Sequence, residues 1–191
     1  MPAVSRLGPG PSVLQRHETL SPQSLRRILG RFATGVTVAT TIRDGRPHGL
    51  TVNSFTSVSL SPALILICIH HASTFLNAAI EHGNFAVNIV DDDHLDVVRF
   101  FATPERHREE TWPSWERSPL GVPLLEGAVA YLDCSLNAMH PGGDHVICIG
   151  EIRNAAAAAV GLPLVFVGGR FRSVGPICDL EEEVLKNWAW I

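Results

Sequence analysis

The chain has no apolar run long enough to cross a bilayer. The longest, Ala63–Ile69, is well short of the roughly 18 residues that a span requires. It has no basic run either: 15 Lys+Arg stand against 19 Asp+Glu, a net charge of −4, so a phosphate-backbone partner is not favoured and nucleic-acid binding drops away. The first twenty residues lack the uninterrupted apolar core of a signal peptide, because Pro2, Arg6, Gly8, Pro9, Gly10 and Pro11 break it. The four cysteines (Cys68, Cys134, Cys148, Cys178) contain no CxxC pair. Three of them sit in apolar, strand-like runs, which reads as buried thiols in a reducing compartment. These absences point to a soluble cytoplasmic protein with no membrane or nucleic-acid partner. GxSxG, HExxH, P-loop and GxGxxG patterns are missing too, which removes the commonest hydrolase, metalloprotease and nucleotide signatures.

What is present is an ordinary globular composition, 46% hydrophobic and 18% charged over 191 residues. That length fits one domain, 21–175, with an N-terminal arm over 1–20 and a terminal helix over 176–191. Ser21-Pro22 is a helix start, and Leu25, Ile28, Leu29 and Phe32 fall on one face of a helix that runs to about Gly35. Val36–Ile42 and Pro47–Phe55 then form a hairpin around Asp44-Gly45. Ser57–Leu60 leads into the apolar strand Ala63–Ile69. Ser73 caps a short helix with Phe75, Leu76, Ala79 and Ile80 inward, closed by Gly83.

Phe85–Val90 is a further strand, and Asp91–Asp93 opens a helix through Leu95, Val98 and Phe101. Residues 103–127 read as irregular, with Trp112 and Trp115 either covering a pocket or plugging the loop. Strands follow at Ala128–Ala138, His145–Asn154 and Leu164–Val167, with the Ala155–Ala159 run read as a plain connection. The terminal helix carries a D-x-x-E cap at Asp179 and Glu182. Six or seven strands with few helices do not alternate as a βαβ fold requires. The expected class is mainly β: a small closed antiparallel barrel with peripheral helices, since closure protects sheet edges.

Few side chains stand out as chemical. His70-His71 are neighbours whose rings point to opposite faces of a strand, so they make a poor metal pair, and no metal is expected. The segment Gly49–Ser57 places hydroxyls and one amide in an apolar setting, with Thr51 and Asn53 on one face. Two readings stand side by side. One is a polar strand edge entering a Ser/Thr turn; the other is a surface that hydrogen-bonds a phosphate and the carbonyl and imide edge of a flat heterocycle.

Four separated runs occur in order: RFATGVTVATT at 31–41, GLTVNSFTSVSLSPALILICI at 49–69, NFAVNIV at 84–90 and GGDHVICIGEI at 142–152. In that order the chain resembles the short-chain flavin reductases, the reductase components of two-component flavin monooxygenases, over about residues 20–172. The resemblance implies a Greek-key FMN-binding split barrel, usually a homodimer with the flavin near the interface. Flavin, as FMN or FAD, would lie along Pro47, His48, Gly49, Leu50, Thr51, Val52, Asn53 and Ser54, with Ser57 beyond. Thr51, Asn53 and Ser54 would hydrogen-bond to it, and Cys68, Ile69 and His70 would touch it. Ser73, Thr74 and Phe75 would hold its phosphate, although some members carry arginine where this chain has Thr74.

The same resemblance puts NADH or NADPH beside Asp144 and His145, with Gly168, Gly169, Arg170 and Phe171 lining that side. His145 would be the catalytic-site histidine, near the nicotinamide, and Asp144 a turn residue. The ending VLKNWAWI resembles members that serve aromatic or steroid ring hydroxylases, and Trp188 and Trp190 would make the subunit contact. The implied activity is hydride transfer from reduced nicotinamide to flavin, with reduced flavin leaving for a separate flavin-dependent monooxygenase. The rival is a flavin-binding carrier or sensor of the same barrel class without reductase turnover. A pyridoxamine-phosphate oxidase-like enzyme lacks support, because its basic phosphate clusters are missing.

Overall fold

The computed structural model describes residues 20–103 and 112–175. Apart from Leu20, the expected arm over 1–20 and the terminal helix over 176–191 lie outside the described residues. So do Cys178, Trp188 and Trp190.

Helix α1 (Pro22–Leu29) starts as expected: Ser21 Oγ accepts from the Ser24 amide, and proline fills the first turn, where no N–H is needed. It stops at Gly30 rather than near Gly35, because residues 34 and 35 pair as a short strand, β1 (Thr34–Gly35), with β11 (Val165–Val167). Among the described residues nothing covers its apolar face: Leu29 is 68% exposed, Phe32 just beyond the helix is 77% exposed, and only Ser24 of the helix is buried.

Strands β2 (Thr37–Arg43) and β3 (Arg46–Val52) form the expected hairpin. Asp44 and Gly45 both take positive φ (51° and 73°), the combination a two-residue turn needs to match strand twist. The remaining strands of the main sheet are β4 (Thr56–Leu60), β5 (Ala63–His70), β6 (Asn84–Ile89), β9 (Ala130–Gly142) and β10 (His145–Ala157). Between them lie α2 (Thr74–His82), a 3-10 turn at Asp92–His94 and α3 (Leu95–Ala102). Residues expected to be irregular supply a small hairpin, β7 (Trp115–Arg117) with β8 (Pro123–Leu125). Strand β10 runs three residues past the expected end and takes in Ala155–Ala157, which pair with β9 and are no plain connection. Strand β12 (Arg170–Arg172) pairs with β11.

The main sheet has seven antiparallel strands in the order β3-β2-β6-β9-β10-β5-β4. Its edges, β3 and β4, are consecutive in sequence and separated by only Asn53, Ser54 and Phe55. Three residues reach about 14 Å at most, so the sheet must curl until its two edges nearly meet. No ladder joins those edges among the described residues, so the fold is mainly β with peripheral helices, and the closed ladder expected from the sequence is absent. The gap is bridged by a side chain instead. Ser54 Oγ donates to the Cys68 carbonyl (3.0 Å) and accepts from the Cys68 amide (2.9 Å).

Inside the curl sit Val52, Ile65, Ile67, Ile69, Phe85, Val87, Cys134 and Cys148, capped at one side by Phe75, Leu76 and Ala79 of α2. Ile80 was expected to join them but is half exposed, and Ala78 is buried in its place. Gly83, at φ 76°, ends the helix in the left-handed conformation that glycine adopts without strain. A second cluster joins Val36, Val38, Val90, Val98 and Phe101, with Trp112 and Trp115 against it. Trp112 meets the Phe101 ring edge-on at 4.9 Å, so this indole plugs its loop.

Candidate functional site

The site follows from the curl. A free sheet edge, β3, faces the end of β5 across the gap, and an edge strand carries unpaired backbone N–H and C=O groups at alternate residues. Along this line lies a cavity of about 270 Å³, walled by Leu50, Thr51, Val52, Asn53, Ser54, Cys68, Ile69, His70 and His145. Two segments far apart in sequence, each expected to touch the flavin, thus meet the expected nicotinamide histidine in one groove. The ladder explains how: His145 opens β10 directly opposite His70, the last residue of β5.

The hydrogen bonds sort the polar residues by what they have left to offer. Thr51 Oγ1 donates to the Val98 carbonyl (2.7 Å), so toward a ligand it acts as an acceptor. Asn53 lies just past the end of β3, and its Nδ2 donates to Thr34 Oγ1 (3.2 Å). Its carbonyl oxygen and second N–H stay available. Ser54, expected to hydrogen-bond the flavin, already donates and accepts in its clasp on Cys68 and serves to hold the groove's two walls together.

At the groove's far end the imidazoles are ordered by their neighbours. His70 stacks on His71 (centroids 4.6 Å) rather than pointing to the opposite face, because the strand ends at His70, and it meets His145 edge-on (5.4 Å). The Ala72 amide donates to His70 Nδ1 (3.2 Å), which places the proton of the neutral ring on Nε2. His71 is held by the Asp144 carbonyl, which accepts from its Nδ1 (2.8 Å) and from its backbone amide (3.1 Å). The Asp144 carboxylate accepts from His145 Nδ1 (2.7 Å). That hydrogen bond, and then the electrostatic attraction of the His145 ring, hold the Asp144 carboxyl below the ordinary carboxylate range. Gly143 (φ 74°) makes the turn that allows this. Among the described residues no group of three His, Cys, Asp or Glu side chains is arranged to hold a metal ion.

Further along β3 a second cavity, about 260 Å³, is lined by His48, Gly49, Leu50, Ala72, Ser73, Thr74, Phe75, Phe101 and Ala102. Ser73 Oγ accepts from the Phe75 amide at the start of α2, and Thr74 Oγ1 lies 3.1 Å from His48 Nε2. His48 also stacks on Phe75 at 6.3 Å. Gly49 is required here: a Cβ would fall 2.6 Å from Phe101 Cε1. Pro47 lies beyond, in an open cavity with Arg43, Asp44, Arg46 and His48.

On the side of Asn53 away from Cys68, Phe166 and Phe171 of the β11–β12 hairpin join Val36, Thr51 and Asn53 around a small recess of about 130 Å³. Of the residues expected on the nicotinamide side, Phe171 therefore borders the site. Gly168 and Gly169 line a different cavity, with Arg26, Arg27 and Arg31 of the α1 region. Arg170 is exposed between them. Ser57 is exposed on β4 and lines none of these cavities. Phe101, Ala102, Phe166 and Val36 were not singled out from the sequence. Their spacing marks them only as core, and Gly49, a glycine inside a β-branched strand, was the one local hint of a close approach.

Known proteins resemble this chain over most of its length. A model of the flavin reductase like domain matches residues 29–175. The reductase subunit HsaB of a flavin-dependent monooxygenase from Rhodococcus jostii is 35% identical over 159 residues, 83% of this chain and 81% of that protein. An NADH-dependent FAD reductase from Streptomyces globisporus is 40% identical, over 81% of this chain and 87% of that protein. Among solved structures, the Streptomyces globisporus NADH:FAD oxidoreductase in complex with NAD and FAD fragments superposes with a TM-score of 0.78. It is 38% identical and covers 85% of this chain and all of that one. BorF, the flavin reductase component of a bacterial two-component tryptophan halogenase, superposes with a TM-score of 0.77 at 38% identity, covering 82% of this chain and all of that one.

Proposed function

The chain belongs to the flavin reductase-like family, and on that premise we propose that it is an NADH-dependent flavin reductase that supplies reduced flavin to a separate flavin-dependent monooxygenase. The observation that carries the reading is the groove between the two sheet edges, where Asn53, Thr51 and Cys68 face His70 and His145. The residues fit a flavin. A free strand edge suits the carbonyl and imide side of a flat ring, and Phe171 and Asn53 flank it. The Ser73–Phe75 turn beside His48 suits the phosphate end.

The reaction passes a hydride from NADH to the flavin, and what it asks of the protein is placement. His145 orients the carboxamide of the nicotinamide, with its Nδ1 proton held by Asp144 and its Nε2 left as acceptor. His70 offers its Nε2 proton nearby, and the Ser54 clasp keeps the walls at fixed separation. The mostly neutral groove favours a flavin that exchanges. The alternative, a carrier or sensor without turnover, is disfavoured by the Asp144–His145 pair, which a carrier has no use for.

The finer features belong to the same proposal. The curled sheet is a split barrel within a single domain. The protein works as a homodimer, supported by the exposed apolar residues Leu25, Ile28 and Leu29 on a helix of eight residues, too short to persist without cover, and by Phe32 just beyond it. It works in the cytoplasm, supported by the unpaired thiols of Cys68, Cys134 and Cys148, and its oxygenase acts on an aromatic or steroid ring. The test crosses FMN and FAD with NADH and NADPH while following loss of nicotinamide absorbance. Turnover with NADH is expected; turnover in no combination would leave the carrier reading.

A further inference from the structure

The groove along β3 does not end where a single phosphate would. The cavity at Asn53 and the cavity at Thr74 share Leu50, and the Thr74 cavity shares His48 with a third, open cavity of about 510 Å³ lined by Arg43, Asp44, Arg46, Pro47 and His48. Three neighbouring cavities therefore follow β3 from the ring end at Asn53 to the β2–β3 turn.

The charges at that turn are unbalanced. Arg43 and Arg46 are direct partners in the ladder, so both side chains leave the same face of the hairpin, an arrangement that costs stability for like charges. A single carboxylate attends them: Asp44 Oδ2 is 3.8 Å from Arg43 Nε and 81% exposed, while Arg46 makes no ion pair among the described residues. Alternate residues of a strand share a face, so Arg46 stands on the same side as His48, two residues or about 6.6 Å away. His48 is the residue that meets Thr74 at the phosphate end. A second phosphate, linked through oxygen to one held at His48 and Thr74, falls within reach of the Arg46 guanidinium, whose fork suits phosphate oxygens.

Resting on the reductase reading, we propose that Arg46, assisted by Arg43, binds the diphosphate and adenosine half of FAD and so makes the protein select FAD over FMN. A flavin ending in one phosphate stops at His48 and gains nothing from the arginines.

The experiment compares wild type, Arg46→Gln and a control, Arg172→Gln, by quenching of FAD and FMN fluorescence without NADH, and by NADH oxidation with each flavin. Wild type binds FAD about ten-fold more tightly than FMN. Arg46→Gln loses that margin while its FMN affinity and FMN turnover stay at the wild-type level, and Arg172→Gln changes neither. Adenosine diphosphate displaces FAD from wild type but not from Arg46→Gln, and added salt narrows the FAD margin. Equal loss of both flavins in Arg46→Gln, or no loss of either, overturns the assignment. If wild type binds and reduces neither flavin, the reductase reading itself has failed. Intact FMN turnover in Arg46→Gln separates the two cases.

Discussion

The carboxylate of Asp144 accepts a 2.7 Å hydrogen bond from Nδ1 of the adjacent His145, while the Asp144 carbonyl holds the ring and backbone of His71. One residue thus sets the tautomer of one imidazole and anchors another. Replacing Asp144 with Asn should leave flavin affinity near wild type and raise the KM for NADH several-fold. Its depressed pKa fixes the sign of the pH effect. The carboxylate form holds His145 at and above the usual carboxylate range, and that hold is lost as pH falls through the lowered value. Wild-type KM for NADH should therefore rise as pH falls through that lowered value, whereas Asp144→Asn should lack this carboxylate limb. Steady-state kinetics across pH decide this.

The proposed roles divide between the two ends of the groove. His145→Ala should raise the KM for NADH about ten-fold, near 1.4 kcal/mol, with flavin binding little changed. Asn53→Ala should weaken flavin binding by a similar factor first. Flavin fluorescence titration beside NADH kinetics separates the two, and parallel losses of both affinities in each variant would reject the division.

Gly49→Ala tests the packing that keeps the Thr74 cavity open. Its Cβ would meet Phe101 at 2.6 Å, so the substitution should cost about 1–3 kcal/mol of stability in urea unfolding. Phe101→Leu in the same chain should recover part of that loss. A stable single variant with unchanged flavin affinity would contradict the close approach.

Thiol chemistry gives a probe of the groove that needs no turnover. Burial pushes the Cys134 thiol up to about 12 and the Cys148 thiol up to about 11. Neither should react with iodoacetamide at pH 8 in the folded protein. Cys68 is partly accessible and lines the groove, so flavin should slow its alkylation. Mass spectrometry of peptides with and without FMN reads both outcomes.

The pair of Asp91 and His94 (2.6 Å) supplies a stability test away from the groove. The His94 hydrogen bond lowers the Asp91 pKa, so its contribution is present above the unfolded carboxylate value and disappears as pH falls through the folded one. Asp91→Asn should lower Tm at pH 6, and the gap from wild type should close toward pH 3.

Much of the fold was legible because its signals are local. Ser21-Pro22, Asp44-Gly45, Ser73 and Gly83 each dictate a cap or turn by their own chemistry, and each stands where expected. The limits of β10 were not legible, since alanine has weak strand preference and only pairing with Tyr131 and Leu132 draws Ala155 and Ala156 into the ladder. Open or closed edges depend on how far seven strands twist, which no short window contains. For the site, the residue types of Thr51, Asn53 and His145 drew attention to positions that line one groove. The commitment of Ser54 to Cys68 could not be read, because it joins two segments through one hydroxyl. That Gly168 and Gly169 line a separate cavity beside α1 could not be read either: the Gly168 amide donates to the Gly30 carbonyl, a long-range contact.

That last contact links distant parts. The hairpin whose tip is tied to the end of α1 carries Phe171 in the middle of its second strand, lining a recess with Asn53. Its first strand pairs with Thr34 and Gly35, Phe166 lying opposite Thr34. The end of the exposed helix, that short pairing and the aromatic wall of the recess are therefore joined in one hydrogen-bonded unit.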